Sequence, residues 1–447
     1  MTRAAQSLLT YLLFCAALLM GGASQGGIYG NAAIQMMAAV AIAAALVTRT
    51  DATEGPPRRV LWLLIAASGL AIVQLLPLPP EIWTNLPGRR LAIETLRLAG
   101  IAPGWRPFSL APAATLGAAL ALLPAIAALL IGMRAPRQQL IALYATITAI
   151  MMLSVMLGLT QRATGLDSAL YLYAVTNRGL AVGFFANSNH LATLCALSIP
   201  IATAWLVARR GGGRTNGAWL LLVPIVLFAL LGVAFTSSIA GLGLSLIGLV
   251  SIYAISRWRR GASKRGAFAI LAIAAAVLGA GVVLVASQTG GAGGDGMGRL
   301  VLWERTLRAI GDSAPWGTGL GSFAVVYPAY ENPMTVTNVF ANHAHNDYLE
   351  TLLGGGAPAL ILMLAFAYWW MRTTIGVWTA PVRDALAEAA TVVTAIVLLH
   401  EIVDYPLRTA AIGVVFGLCC GIMARPNRVT EPRDNGSDTR ASRHVSA

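Results

Sequence analysis

Apolar runs of roughly 17 to 25 residues recur along the whole chain, each long enough to cross about 30 Å of hydrocarbon as a helix. Twelve spans are predicted, near residues 7–22, 27–47, 60–78, 111–133, 137–159, 183–208, 218–234, 237–256, 267–286, 357–371, 386–403 and 408–424. The runs are continuous and rich in Leu, Ala, Ile and Val, whereas barrel strands alternate polar and apolar positions over about ten residues. The pattern therefore predicts an all-α polytopic membrane bundle over residues 1–424 and disfavours a β-barrel. Most breaks between spans are short, and three are long: 79–110, 160–182 and 287–355. The first carries Trp83 and Trp105, read as interfacial aromatics. The third is a large loop between helices nine and ten. It combines a glycine-rich entry, an amphipathic helix in GRLVLWERTLRAIG and the polar stretch NHAHNDYLETLLGGGAP. Residues 425–447 are polar, basic and without periodicity, and are expected to be a disordered tail.

Composition agrees with a membrane chain: 57% of residues are apolar, 11% are charged, and the mean hydropathy is +0.71. A net charge of +13 raises the question of nucleic acid, but in a polytopic protein the location of each base matters more than the total. With the N-terminus in the cytoplasm, 21 of the 31 Lys and Arg residues fall in segments assigned to that side. This is the positive-inside bias. It puts both termini in the cytoplasm and all three long loops on the outer face, with no call for a nucleic-acid partner. The four cysteines lie inside predicted spans without CxxC or Cys/His spacing, so neither a disulfide framework nor a metal site is indicated. The first span resembles a signal peptide, but a second span follows almost at once and retention is expected.

Chemistry is confined to the outer face. Of five histidines, His190, His343, His345 and His400 fall at or near that surface. An imidazole exchanges protons near neutral pH and suits general acid/base work on a hydroxyl. The competing reading is that His343 and His345 only cap or brace a loop. Asp347 and Glu350 could complete a metal set with them, but no ligand spacing occurs. Triple glycine at Gly354 to Gly356 should break the helix HNDYLETLL, and Pro358 suits the first turn of the next. Inside that short helix His345 would share the face of Leu349 and Leu352. Arg178 and Arg299 are outer-face guanidiniums suited to a lipid diphosphate. Asn187, Asn189 and His190 open the sixth span, and His400, Glu401 and Asp404 close the eleventh. Polar groups at membrane depth invite a functional reading, although they also cap helix ends. The glycine pattern GTGLGSF lacks the strand-turn-helix context of a nucleotide site.

Taken in order, RGLAVGFFANSNHLATLCALSIP, GRLVLWERTLRAIGDSAPWGTGLGSF, NHAHNDYLETLLGGGAP and HEIVDYPLR resemble the O-antigen ligase and polymerase superfamily of bacterial membrane proteins, over roughly 177–408. The resemblance implies a metal-independent glycosyltransferase of the bacterial inner membrane with no cofactor. It would move a glycan from an undecaprenyl diphosphate carrier to an acceptor hydroxyl on the periplasmic side. In the ligase branch the acceptor is lipid A-core. His345 matches the essential histidine of the family, and Arg178 and Arg299 match the arginines that engage the diphosphate. His343, Asn346, Asn187, Asn189, His400 and Asp404 are supporting candidates. The ligase pattern places Gly, Thr or Tyr three positions after the glycine at 356, where this chain has Ala359.

Three other readings stand beside the ligase. A repeat-unit polymerase and a protein O-oligosaccharyltransferase belong to the same superfamily. A bicarbonate-like solute transporter is a different class, and it would call for broken helices with ionisable residues at mid-membrane.

Overall fold

The structure is a computed structural model that describes residues 2–24, 28–47, 58–209, 218–257, 294–335 and 340–425. The ninth predicted span at 267–286, parts of the long loop and the tail beyond residue 425 lie outside the described residues. Among the described residues the chain is helical, apart from one two-residue antiparallel pairing, β1 (Pro77–Leu78) with β2 (Arg106–Pro107), and an isolated bridge between Gly22 and Phe185. The principal helices are α1 (Arg3–Met20), α2 (Tyr29–Val47), α3 (Arg58–Val73), α4 (Pro80–Trp83), α5 (Arg90–Leu98), α6 (Pro112–Arg134), α7 (Arg137–Thr164) and α8 (Ser188–Ala208). There follow α9 (Ala218–Thr236), α10 (Ile239–Arg257), α11 (Gly294–Ser313), α12 (Phe323–Val326), α13 (Asp347–Thr379), α14 (Ala385–His400) and α15 (Ala410–Met423). Among the described residues, apolar helices fall on eleven of the twelve predicted segments. Six are long and apolar enough to cross a membrane, and five are shorter.

Helix α8 is the core. Leu191, Leu194, Cys195, Leu197 and Ile201 are wholly buried, as expected of a helix that is apolar all round. It packs against α7, α9, α10 and α14. Its start is set by Asn187, whose side chain accepts from the Asn189 amide, so the helix begins five residues later than the hydropathy predicts.

A second contact uses glycine. Gly413, Gly417 and Gly421 recur every four residues along α15. A Cβ on Gly417 would sit 2.2 Å from the Ala125 carbonyl oxygen, and one on Gly421 would sit 2.2 Å from that of Leu129. Helices α6 and α15 therefore meet backbone to backbone, the close approach that small residues at this spacing permit in membranes.

The described parts of the long connecting segments fold onto one end of this bundle. Trp83, expected at the headgroup level, is instead buried, and its indole donates to the Gly104 carbonyl at 2.9 Å. Arg89 is buried beside it, donating to the Phe108 carbonyl and lying over the Phe108 ring. The long loop contributes α11, whose Trp303 donates to the carbonyl of Ala344 at 3.1 Å. That single bond fixes the residue between His343 and His345.

The glycine pattern at 317–321 has a packing role. The Thr318 amide donates to Leu353 at 2.9 Å, the Gly319 amide to Gly354 at 2.8 Å, and the Ala357 amide to Pro315 at 2.7 Å. Gln74, just past α3, bridges the two segments by donating to Gly354 and accepting from the Leu320 amide. Two glycine-rich strips thus lie against each other with no side chains between them. Helix α13 kinks here as the triple glycine predicts, with Gly356 at φ 57 and ψ −148.

Candidate functional site

Four segments meet at this end of the bundle: the histidine loop ahead of α13, the start of α8, the end of α14, and the link 401–408 between α14 and α15. His345 does not lie inside the helix, as the sequence suggests. It is two residues before α13 in a left-handed conformation with φ 49, and Asn346 caps the helix by accepting from the Leu349 amide at 3.0 Å. A left-handed non-glycine residue is uncommon and costly. The cap fails to extend backwards because Trp303 holds Ala344 and the Glu401 carbonyl accepts from the Asp347 amide at 2.9 Å.

The turn carries the His345 ring over the 401–408 link. Nδ1 lies 3.3 Å from Oδ1 of Asp404, within ion-pair distance but at an angle poor for a hydrogen bond. The Asp404 side chain is 1% exposed and that of His345 is 28% exposed. The acid is therefore sealed and the imidazole reaches the surface. Burial alone would raise the Asp404 carboxyl. His345, then the charges of His190 and His400, outweigh burial and hold it well below the usual carboxylate range.

Tyr405 is the hub of the packing. The rings of His343, His345 and His190 surround it at centroid distances of 4.1, 5.0 and 5.2 Å. Burial first, and the Asp404 charge next, push its phenol up to about 12, while the side chains of Asn342 and Asn187 bond to it. Asn187 thus does two things: it caps α8 and it touches the hub. His400, at the end of α14, bonds through Nδ1 to the Thr193 hydroxyl at 2.7 Å. That hydroxyl already donates to the Asn189 carbonyl, so the network assigns the ring proton to Nδ1 of His400. Asn189 takes part through its backbone. His190 is buried with neither ring nitrogen bonded to a described group.

A second group lies beside the first. His343 donates from Nδ1 to Glu350 at 3.0 Å, the Ala344 amide donates to the same carboxylate at 2.9 Å, and Arg408 reaches it at 3.1 Å. Arg408 also bonds to Asp347. Burial would lower the Arg408 guanidinium, but Asp347 and Glu350 reverse this and raise it. The two histidines are consequently unequal: His343 is tied into a braced ion network, and His345 is not. Asp347 and Glu350, which the sequence offers only as a possible metal set, instead serve Arg408 and His343. Sequence reasoning gave no role to Arg408 or Tyr405. The available signal was VDYPLR, an acid and a base a few residues apart at a membrane-helix end, where such groups need partners.

The structure separates the two arginines. Arg299 lies one helical turn before Trp303 on α11, and its charge acts on His400. Its neighbours are occupied elsewhere, Arg305 with the Tyr327 phenol and Arg308 with Glu304. Among the described residues Arg299 has no acidic partner. Arg178 is exposed, donates to the Leu166 carbonyl at 3.1 Å and lies over the Tyr171 ring. Among the described residues its contacts are with Leu166 and Tyr171 and not with the histidines. Its link to the site runs through the neighbouring Asn177, whose side chain accepts from the Ser188 amide at 2.9 Å.

Fold and site together define an all-α membrane protein with a buried carboxylate-histidine cluster at one end of the bundle. The O-antigen ligase family matches residues 179–364, which takes in the start of α8, α11, the histidine loop and the kink of α13. That stretch is less than half of the chain, and over it the chain is similar to a family of enzymes acting on glycans. No curated protein matches the sequence.

Proposed function

We propose that the chain is a metal-independent glycosyltransferase of the inner membrane. It takes a glycan from an undecaprenyl diphosphate carrier on the periplasmic side and passes it to an acceptor hydroxyl, with lipid A-core as the acceptor. The observation that carries this reading is the pairing of a sealed Asp404 with a surface-reaching His345. With Nδ1 turned to the carboxylate, Nε2 keeps its lone pair for the acceptor. The acceptor oxygen attacks the anomeric carbon as the bond from that carbon to the diphosphate oxygen breaks. The bonding electron pair leaves on the diphosphate, and the hydroxyl proton passes to Nε2 of His345. Asp404 stabilises the imidazolium and orients the ring. Arg299 and Arg178 offset the charge gathering on the leaving diphosphate. Asn346, Asn187, Asn189, His343 and His400 hold the geometry.

In vesicles loaded with lipid-linked glycan and acceptor, His345→Ala should abolish transfer while the protein stays folded. Transfer at the parental rate would remove His345 from the mechanism. Ala359, standing where ligases carry Gly, Thr or Tyr, supports a second reading as repeat-unit polymerase. A deletion strain separates the two: long chains left on the carrier mean lost ligation, and single units mean lost polymerisation.

A further inference from the structure

The opposite end of the bundle carries a second feature, unrelated to the histidine cluster. A cavity of about 450 Å³ opens between α3, α13 and α15, with Arg59, Arg372 and Thr373 at its rim and Trp369, Met423 and Ala424 forming its floor. Chain geometry places it far from the histidines. Arg372 lies 16 residues beyond Gly356 on α13, and Arg59 lies 15 residues before Gln74, the residue that bonds to Gly354. At 1.5 Å per residue both routes give roughly 23 Å, close to the thickness of a hydrocarbon layer.

Two observations give the cavity a ligand chemistry. Among the described residues, neither Arg59 nor Arg372 pairs with an acid, although two guanidiniums share one rim. Each also heads an apolar stripe. On α3 the exposed Trp62 and Ile65 follow Arg59 at helical spacing. On α13 the exposed Tyr368, Leu364 and Ile361 run away from Arg372 on one face. The two helices pack against each other, and each carries exposed apolar residues on the mid-bundle side of its arginine. Paired positive charge followed by two apolar tracks complements a phosphate followed by two acyl chains.

We propose that this cavity is a binding site for an anionic phospholipid, its phosphate held between Arg59 and Arg372 and its chains lying along α3 and α13. Guanidiniums suit the phosphate oxygens, and a basic pocket between membrane helices is a recurring way to hold an acidic headgroup.

The test uses the full chain in detergent, titrated with phosphatidylglycerol, phosphatidylcholine or inorganic phosphate. Thermal unfolding is followed, and retained lipid is counted by native mass spectrometry. Phosphatidylglycerol should raise the unfolding temperature and remain bound, phosphatidylcholine much less so, and inorganic phosphate not at all. R59Q/R372Q should weaken phosphatidylglycerol binding roughly thirtyfold, about fivefold for each arginine at a membrane surface. R59K/R372K should retain part of it. R3Q/R209Q, which removes the same charge from other helices, should bind like the parent. Equal weakening in R3Q/R209Q, or unchanged binding in R59Q/R372Q, would overturn the site. An equal response to inorganic phosphate would assign it to a free anion instead.

Discussion

His345 and Asp404 face each other at 3.3 Å, the imidazole at the surface and the carboxylate sealed beneath it. They come from segments 59 residues apart, and the link 401–408 is held against the histidine loop by the bond from the Asp347 amide to Glu401. In the proposed mechanism this pairing lets Asp404 orient the His345 ring and stabilise the imidazolium that forms during transfer.

Asp404→Asn should therefore lose transfer without losing the fold. The amide keeps the size of the side chain but cannot stabilise an imidazolium. Turnover should drop on the order of 10²–10⁴-fold, the usual worth of a positioned acid-base pair. Because the two residues act as one unit, Asp404→Asn combined with His345→Ala should be little worse than His345→Ala alone. Steady-state rates of all three variants in vesicles decide the matter, and additive losses would separate the two residues.

Much of this arrangement was legible in the chain. Span positions follow from the lengths of apolar runs, and the kink at Gly356 follows from GGG with Pro358. What the sequence could not supply were contacts across long separations. Asp404 meets His345, and Arg408 meets Asp347 and Glu350, only because α13 and the 401–408 link share one end of the bundle. The misplacement of His345 inside a helix has a similar origin. Helical periodicity runs smoothly through it, but a tertiary bond from Trp303 pins Ala344 and starts the helix later.

The network of Glu350, Arg408 and His343 should govern stability more than chemistry. Glu350 is buried and accepts from three donors. Removing one partner of such a buried set strands the others and costs about 3–5 kcal/mol. Glu350→Ala should accordingly lower the unfolding temperature and the yield of folded protein. His343→Ala removes only one of the three donors to Glu350 and should cost less. Thermal unfolding in detergent reads both, and an unaltered Glu350→Ala midpoint would remove the network from the fold's support.

Glycine contacts behind the site make a different prediction. Gly319 has φ 106, and a Cβ there would lie 2.1 Å from Oγ of Ser109. Gly319→Ala should force the 317–321 strip away from Gly354 and disturb the kink that aims the histidine loop. Overpacking of this kind costs typically 1–3 kcal/mol, with added strain from the positive φ. Transfer should fall although no histidine is touched. Gly376, on α13, has nothing within 4 Å of its Cβ position. Gly376→Ala should be neutral or slightly stabilising, since alanine favours a helix interior by up to about 1 kcal/mol. Similar activities for the two variants would deny the strip a role.

Glu401 gives the pH dependence. Its carboxyl is held well above the ordinary value by burial, with Asp347 adding to this and the Leu407 amide and Arg408 opposing it. A carboxyl raised on folding contributes its full stability below its unfolded value of 4.5, and that contribution is lost as pH rises through the folded value. Asp404 behaves in the opposite sense. Its depressed value leaves its contribution complete above the unfolded 3.8, so it adds no slope between pH 5 and neutrality. The parent should therefore lose stability across that window through Glu401. Glu401→Gln cannot ionise yet keeps an oxygen for the Leu407 amide, which bonds to Glu401 at 2.8 Å. The unfolding temperature of Glu401→Gln relative to the parent should climb as pH rises from 5. A gap that stays constant over the range would mean that Glu401 is ionised throughout.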